Sequence, residues 1–227
     1  MTHPADILMT NNQLLIEAAQ KGDLTAVLGL IPLSDPTSDN SEALAQAARH
    51  GHTDCVEALI PVSDVGADNS FALWIAANQG HRDCVAVLIP HSRPKDGHCR
   101  ALKTAARFGH VDCVEILQTQ HSQKERIEAL LMAVTGNHRD CVEALARGVR
   151  DWSLLTSPFY HCVAQRQYEL ADVVYTHLEP HFPEHHRQNG YQRYPEYFAR
   201  WDAQKQKELL RVVVLEKGSL SPGFRKL

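Results

Sequence analysis

The chain reads as an all-α solenoid of helix–turn–helix units, closed by a C-terminal helical cap. Two observations predict this. A Gly-His pair or its equivalent recurs at Gly22-Asp23, Gly51-His52, Gly80-His81, Gly109-His110 and Asn137-His138, in steps of 29, 29, 29 and 28 residues. Around each pair, apolar residues fall at helical spacing, with a small pair before the turn and an aliphatic stripe after it.

The elements follow in order within each unit. A first helix carries the small pair, which is Ala18-Ala19, Ala47-Ala48, Ala76-Ala77, Ala105-Ala106 and Ala133-Val134 in turn. Small side chains there let neighbouring helices approach closely. In the second unit Leu44, Ala47 and Ala48 make one apolar face at i, i+3 and i+4, and Ser41 is the expected N-cap. Gly51 supplies the turn, since glycine takes positive φ at little cost.

A second helix follows. Its core is Asp-Cys-Val at 54–56, 83–85, 112–114 and 140–142, with Thr25-Ala26-Val27 in the first unit. The Asp in its first turn meets the positive end of the helix. Three units close alike, on Leu30-Ile31-Pro32, Leu59-Ile60-Pro61 and Leu88-Ile89-Pro90, because proline cannot continue a helix. One such hairpin cannot bury its apolar face alone, whereas a stack of them can.

With Ala-Ala-x-x-Gly-His at 47–52, 76–81 and 105–110, and the paired aliphatics after each, the sequence resembles the ankyrin repeat family. The resemblance covers residues 12–147. It is to short, divergent arrays whose units carry Asp-Asn-Ser-x-Ala-Leu, here Asp39 to Leu44 and Asp68 to Leu73. The units are 29 residues long and lack the family's Thr-Pro-Leu-His opening. Short loops, such as Pro61 to Asn69, are therefore expected where the family projects a β-hairpin finger.

The array is expected over 1–147 and a degenerate sixth, capping unit over 148–180, with Val163-Ala164 as its small pair. A C-terminal region spans 181–227. There His181 to Tyr194 reads as a polar loop. Pro195 to Lys217 reads as a final helix with Phe198, Trp201, Leu209, Val213 and Leu215 in the core, and Gly218 to Leu227 as a loose tail.

The net charge is −4. Residues 1–150 hold 13 basic and 18 acidic residues, or −5, and residues 151–227 hold 10 and 9, or +1. An acidic array argues against nucleic acid as the partner, because phosphate contacts need a clustered basic surface. No stretch reaches the ~18 apolar residues of a membrane helix, and Met1 to Gln20 lacks a secretory pattern. Six cysteines are too few for a disulfide scaffold. The expectation is a monomer in the cytoplasm, or one delivered into a host cell without a classical signal, and no cofactor.

Two clusters could carry chemistry. His-x-x-Cys recurs at His52/Cys55, His81/Cys84, His110/Cys113 and His138/Cys141. Zinc needs four ligands within about 2–2.3 Å, whereas equivalent residues of successive units lie on the order of 8–10 Å apart. The expectation is a buried cysteine and a turn histidine bonding the neighbouring backbone. His181, Glu184, His185 and His186 are the second cluster. They carry the alternative reading, an enzyme or metal-binding protein using the His-rich C-terminal region. Pro183 among them argues for a loop. No phosphate loop or nucleophile elbow is present.

In a stack the buried positions repeat and the exposed ones vary. Three varying columns run along the first helices: Ile16, Ala45, Trp74, Lys103, Leu131; Gln20, Arg49, Asn78, Arg107, Thr135; and Lys21, His50, Gln79, Phe108, Gly136. The resemblance implies that they line a concave groove. The residues expected to bind a protein partner are Arg49, Trp74, Asn78, Gln79, Lys103, Arg107 and Phe108, centred on Trp74, Arg107 and Phe108. The competing expectation is that Trp74 and Phe108 pack against each other or against adjacent helices.

Overall fold

A computed structural model describes residues 4–92, 97–178 and 184–218, with fourteen α-helices and no strand among them. Helices pair into six hairpins: α1 (Pro4–Lys21) with α2 (Leu24–Leu30), α3 (Ser38–Arg49) with α4 (Thr53–Leu59), α5 (Ala67–Gln79) with α6 (Arg82–Leu88), α7 (Gly97–Phe108) with α8 (Val111–Leu117), α9 (Gln123–Gly136) with α10 (Arg139–Arg147), and α11 (Thr156–Ala164) with α12 (Tyr168–Leu178). Then come α13 (Glu184–Arg193) and α14 (Pro195–Gly218). A single 3-10 turn follows each of the first four second helices, and Pro32, Pro61 and Pro90 sit inside three of these turns.

One continuous core runs through the stack. The small pairs and the cysteines predicted to be buried are buried in the second to fifth units, as are Val56, Leu59 and their equivalents, while Ile60 and Ile89 are half-buried. Over the first five units the first helices are longer than the second and share the larger contact from unit to unit; theirs is the side that the resemblance makes concave.

The turns are built alike. In every unit the residue after the turn donates its backbone N–H to the carbonyl of the first small residue: His52 to Ala47 at 3.0 Å, His81 to Ala76 at 3.0 Å, His110 to Ala105 at 2.9 Å and His138 to Ala133 at 2.9 Å. The sixth unit does the same, Gln167 to Cys162 at 2.9 Å. Its small pair is therefore Cys162-Val163, both buried, and not the expected Val163-Ala164, since Ala164 is exposed.

Three further expectations are corrected. Ser41 is no N-cap. Asp39, Asn40 and Ser41 form a left-handed turn at φ 49, 58 and 62°, and the buried Ser41 Oγ accepts the Asp64 N–H of the next unit at 2.9 Å. Asp68 and Ser70 repeat the left-handed turn. Asp and Asn tolerate this conformation better than other residues do, which is why the Asp-Asn-Ser signature recurs. The segment expected as a loop between units is also more ordered than predicted. It holds a 3-10 turn over Ile60–Val62, and Asp64 Oδ1 accepts the Gly66 N–H at 3.0 Å.

The third correction concerns the stretch read as a polar loop, which contains helix α13. A proline just ahead of a helix does not oppose it, because the first turn has no intrahelical use for the missing N–H. Phe198 is buried and Trp201 half-buried, as expected. The side chains of Leu209, Val213 and Leu215, and the tail beyond Gly218, lie outside the described residues.

Candidate partner-binding face

The face begins with how successive units are fastened. His52 Nε2 lies 3.1 Å from the carbonyl oxygen of Gln20, His81 Nε2 is 2.9 Å from that of Arg49, and His110 Nε2 is 2.9 Å from that of Asn78. In the sixth unit Gln167 Nε2 donates to Val134 at 3.0 Å. The same rings lie against the preceding turn. A Cβ on Gly51 would stand 2.7 Å from His81 Nδ1, and one on Gly80 2.6 Å from His110 Nδ1. Those turns hold φ of +76 and +79°, so glycine is required there by conformation and by space alike.

The three histidine staples use backbone carbonyls of the second varying column. The side chains of Gln20, Arg49, Asn78 and Arg107 are left to project. Arg107 and Gln79 are exposed, while Arg49 and Asn78 are half-buried. Phe108 is 52% exposed, and the Arg107 guanidinium carbon lies 6.0 Å from its ring centroid.

Trp74 is held differently. It is half-buried, its Nε1 donates to Thr104 Oγ1 at 3.0 Å, Phe71 packs 5.3 Å away, and the Arg100 guanidinium stacks 4.1 Å over its ring. Trp74 therefore fastens the third unit to the fourth, and Phe108 carries the open aromatic surface. Lys103 forms a 2.5 Å ion pair with Glu128 of the next unit, and that hydrogen bond holds its ammonium above the usual lysine range.

Arg100 was not singled out in the sequence, although helical spacing would have found it. Arg100, Lys103 and Arg107 stand at i, i+3 and i+7 on α7, which places them along one stripe. His50, in the third column, is exposed beside the second turn, its ring stacked 6.2 Å from that of His52.

The cysteines after the turns take no part in this face. Cys55, Cys84, Cys113 and Cys141 are buried and unpaired. Burial pushes the Cys113 and Cys141 thiols up to about 11. With Nε2 of three of the histidines turned to carbonyls, the His-x-x-Cys spacing serves stacking. Among the described residues no three His, Cys, Asp or Glu side chains converge as metal ligands would. His181 lies outside the described residues, as do the side chains of Glu184, His185 and His186.

The family model for ankyrin repeats (three copies) matches residues 15–96 and 62–128, which together span half of the chain. The chain belongs to the ankyrin repeat family. The crystal structure of the human ASB11 ankyrin repeat domain is similar, with a TM-score of 0.61 and 24% identity, covering 72% of this chain and 82% of that one. At that identity the likeness extends to the fold. No curated protein matches the chain. Ankyrin repeats serve generally as protein–protein interaction modules on a scaffold that is typically not enzymatic. No described helix of this ankyrin chain is long and apolar enough to cross a membrane.

One further hollow lies on the side of the second helices, about 770 Å³ between α10, α12 and α14. Its half-buried Asp172 is salt-bridged to Arg200 at 3.1 Å, so the two charges neutralise each other. Burial raises the Asp172 carboxyl and lowers the His177 imidazole.

Proposed function

We propose that the chain is a non-catalytic scaffold that grips a protein partner along the concave side of its ankyrin stack. One contrast carries the reading. Residues that build the stack recur from unit to unit and are buried. Those at the ends of the first helices change from unit to unit and face outward, ending in Phe108 at 52% exposure. Large exposed aromatics flanked by arginine are the composition of interface hot spots. Arg49, Asn78, Gln79, Arg107 and Phe108 form the contact surface. Trp74 and Lys103 shape it from beneath through Thr104 and Glu128.

The test is affinity capture from lysate with the intact chain beside its Arg107→Ala/Phe108→Ala variant. A protein kept by the first and lost by the second, both melting alike, supports the reading. A protein held equally by both, or none held by either, counts against it.

A further inference from the structure

On the second helices α4, α6, α8 and α10 the exposed acids are Asp54, Glu57, Asp83, Asp112, Glu115 and Asp140. The first helices carry Arg49, Arg100 and Arg107, with Glu42 and Glu128 standing in the column of Arg100. Arg49, Arg100 and Arg107 form no ion pair with any described carboxylate. Several cations elsewhere are matched, among them Arg82 with Asp83, Arg147 with Glu143 and Arg200 with Asp172. The Nε of Arg49 is buried without an acceptor among the described residues. A guanidinium presents its donors as a fork that fits a carboxylate.

We infer that the occupant of the concave face is an extended acidic peptide segment carrying one apolar side chain among its carboxylates. This rests on the concave-face reading proposed above and gives the partner its chemistry. Arg49 and Arg107 share a column two helices apart. At a helix spacing on the order of 8–10 Å, their Cα atoms stand ~16–20 Å apart. A chain crossing the stack at about 3.3 Å per residue spans that distance in about five or six residues. Two carboxylates at that separation meet the two arginines, and an apolar side chain between them or just beyond reaches Phe108. A nucleic acid fits less well. Asn78, Gln79 and Phe108 interrupt the cations, while a phosphate backbone calls for a continuous basic track.

The test selects short random peptides, displayed on phage, against the full chain, then measures the best binder with three proteins: the intact chain, Arg107→Glu and Glu57→Lys. The inference expects selected peptides rich in Asp and Glu around one apolar residue. It expects Arg107→Glu to weaken binding by at least about tenfold, as removal of a matched interface charge does, and Glu57→Lys to leave it unchanged. It also expects affinity to fall between about 0.05 and 0.5 M salt, as exposed ion pairs are screened. Arg107 is exposed, so its variant is expected to melt with the parent.

Peptides without acidic enrichment that are lost on Phe108→Ala would overturn the inference and leave the concave-face reading standing. Acidic peptides held equally by Arg107→Glu would overturn it. So would a single-stranded DNA oligonucleotide that binds more tightly than the best peptide and depends on Arg107. Recovery of no peptide at all would overturn it as well.

Discussion

The imidazole Nε2 of His81 lies 2.9 Å from the carbonyl oxygen of Arg49, 32 residues earlier on the neighbouring unit. With a carbonyl as its partner, that nitrogen is the donor. The bond joins the start of one second helix to the end of the preceding first helix, and its counterparts at His52 and His110 repeat it along the stack. His81→Ala leaves the Arg49 carbonyl without this donor and opens space over Gly51. A loss of about 1–3 kcal/mol is expected, as for a buried polar group left unpaired. In the sixth unit Gln167 makes a related bond, to Val134 one position earlier in the repeat, so His81→Gln is expected to retain part of the stability. Urea unfolding of the two variants checks both statements. An equal loss for Ala and Gln would mean that the ring's packing, and not its bond, does the fastening.

Much of this stack was legible in the sequence because its physics repeats. Buried positions cannot vary without opening a cavity, so the Ala pairs, cysteines and aliphatics keep a 29-residue phase. The sixth unit slipped by one residue because Cys162, Val163 and Ala164 are all small and apolar. Only the turn bond from Gln167 to Cys162 fixes the frame. The left-handed turn at Asp39–Ser41 was hidden for another reason. Serine ahead of a glutamate reads as a helix cap, whereas its hydroxyl serves the next unit. On the first helices, the outward position of the column at Arg49, Asn78 and Arg107 was readable from its variability. That Trp74 faces Thr104 and Arg100 was not, because a partner in the next unit leaves no local pattern.

Trp74 and Phe108 therefore separate in their effects. Phe108→Ala removes an exposed ring and is expected to change stability by under about 0.5 kcal/mol, as surface substitutions do. It is expected to cost partner affinity about 2 kcal/mol or more, the scale of a hot-spot truncation. Trp74→Ala removes a half-buried ring and its bond to Thr104, and is expected to destabilise the fold by about 2 kcal/mol through lost packing and a lost hydrogen bond. Thermal melts beside binding isotherms separate the cases. A large loss of stability in Phe108→Ala would show that its ring packs into the structure.

Five of the six cysteines are buried, and Cys99 alone is partly exposed. At mildly alkaline pH a thiol reagent such as DTNB is expected to label Cys99 quickly and the other five only on unfolding. The same burial sets a pH dependence. Desolvation raises Cys113 and Cys141 from the ordinary 9.0 to about 11, and Cys162 to about 12. The unfolded chain therefore releases these protons first. Stability from this source is fully present below pH 9.0 and is lost as pH rises through 11 and 12. Denaturant midpoints taken across that range should fall, and a flat profile would contradict the burial of the thiols.

The far end of the stack is closed by aromatic rings. Phe159 of α11 is fully buried, with its ring centroid 5.2 Å from Tyr175, 5.4 Å from Tyr197 and 6.1 Å from Phe198. It joins the sixth unit to α14, and pairs of this kind prefer the tilted and edge-on geometries found here. Truncating it leaves a cavity that rigid neighbours cannot fill, so Phe159→Ala is expected to cost about 3–5 kcal/mol. In a stack each unit couples only to its neighbours. The damage should stay local at first, with amide exchange rising in α11, α12 and α14 well before α3 to α8. Exchange rising evenly along the chain would instead mean that the aromatic end and the repeats unfold as one cooperative block.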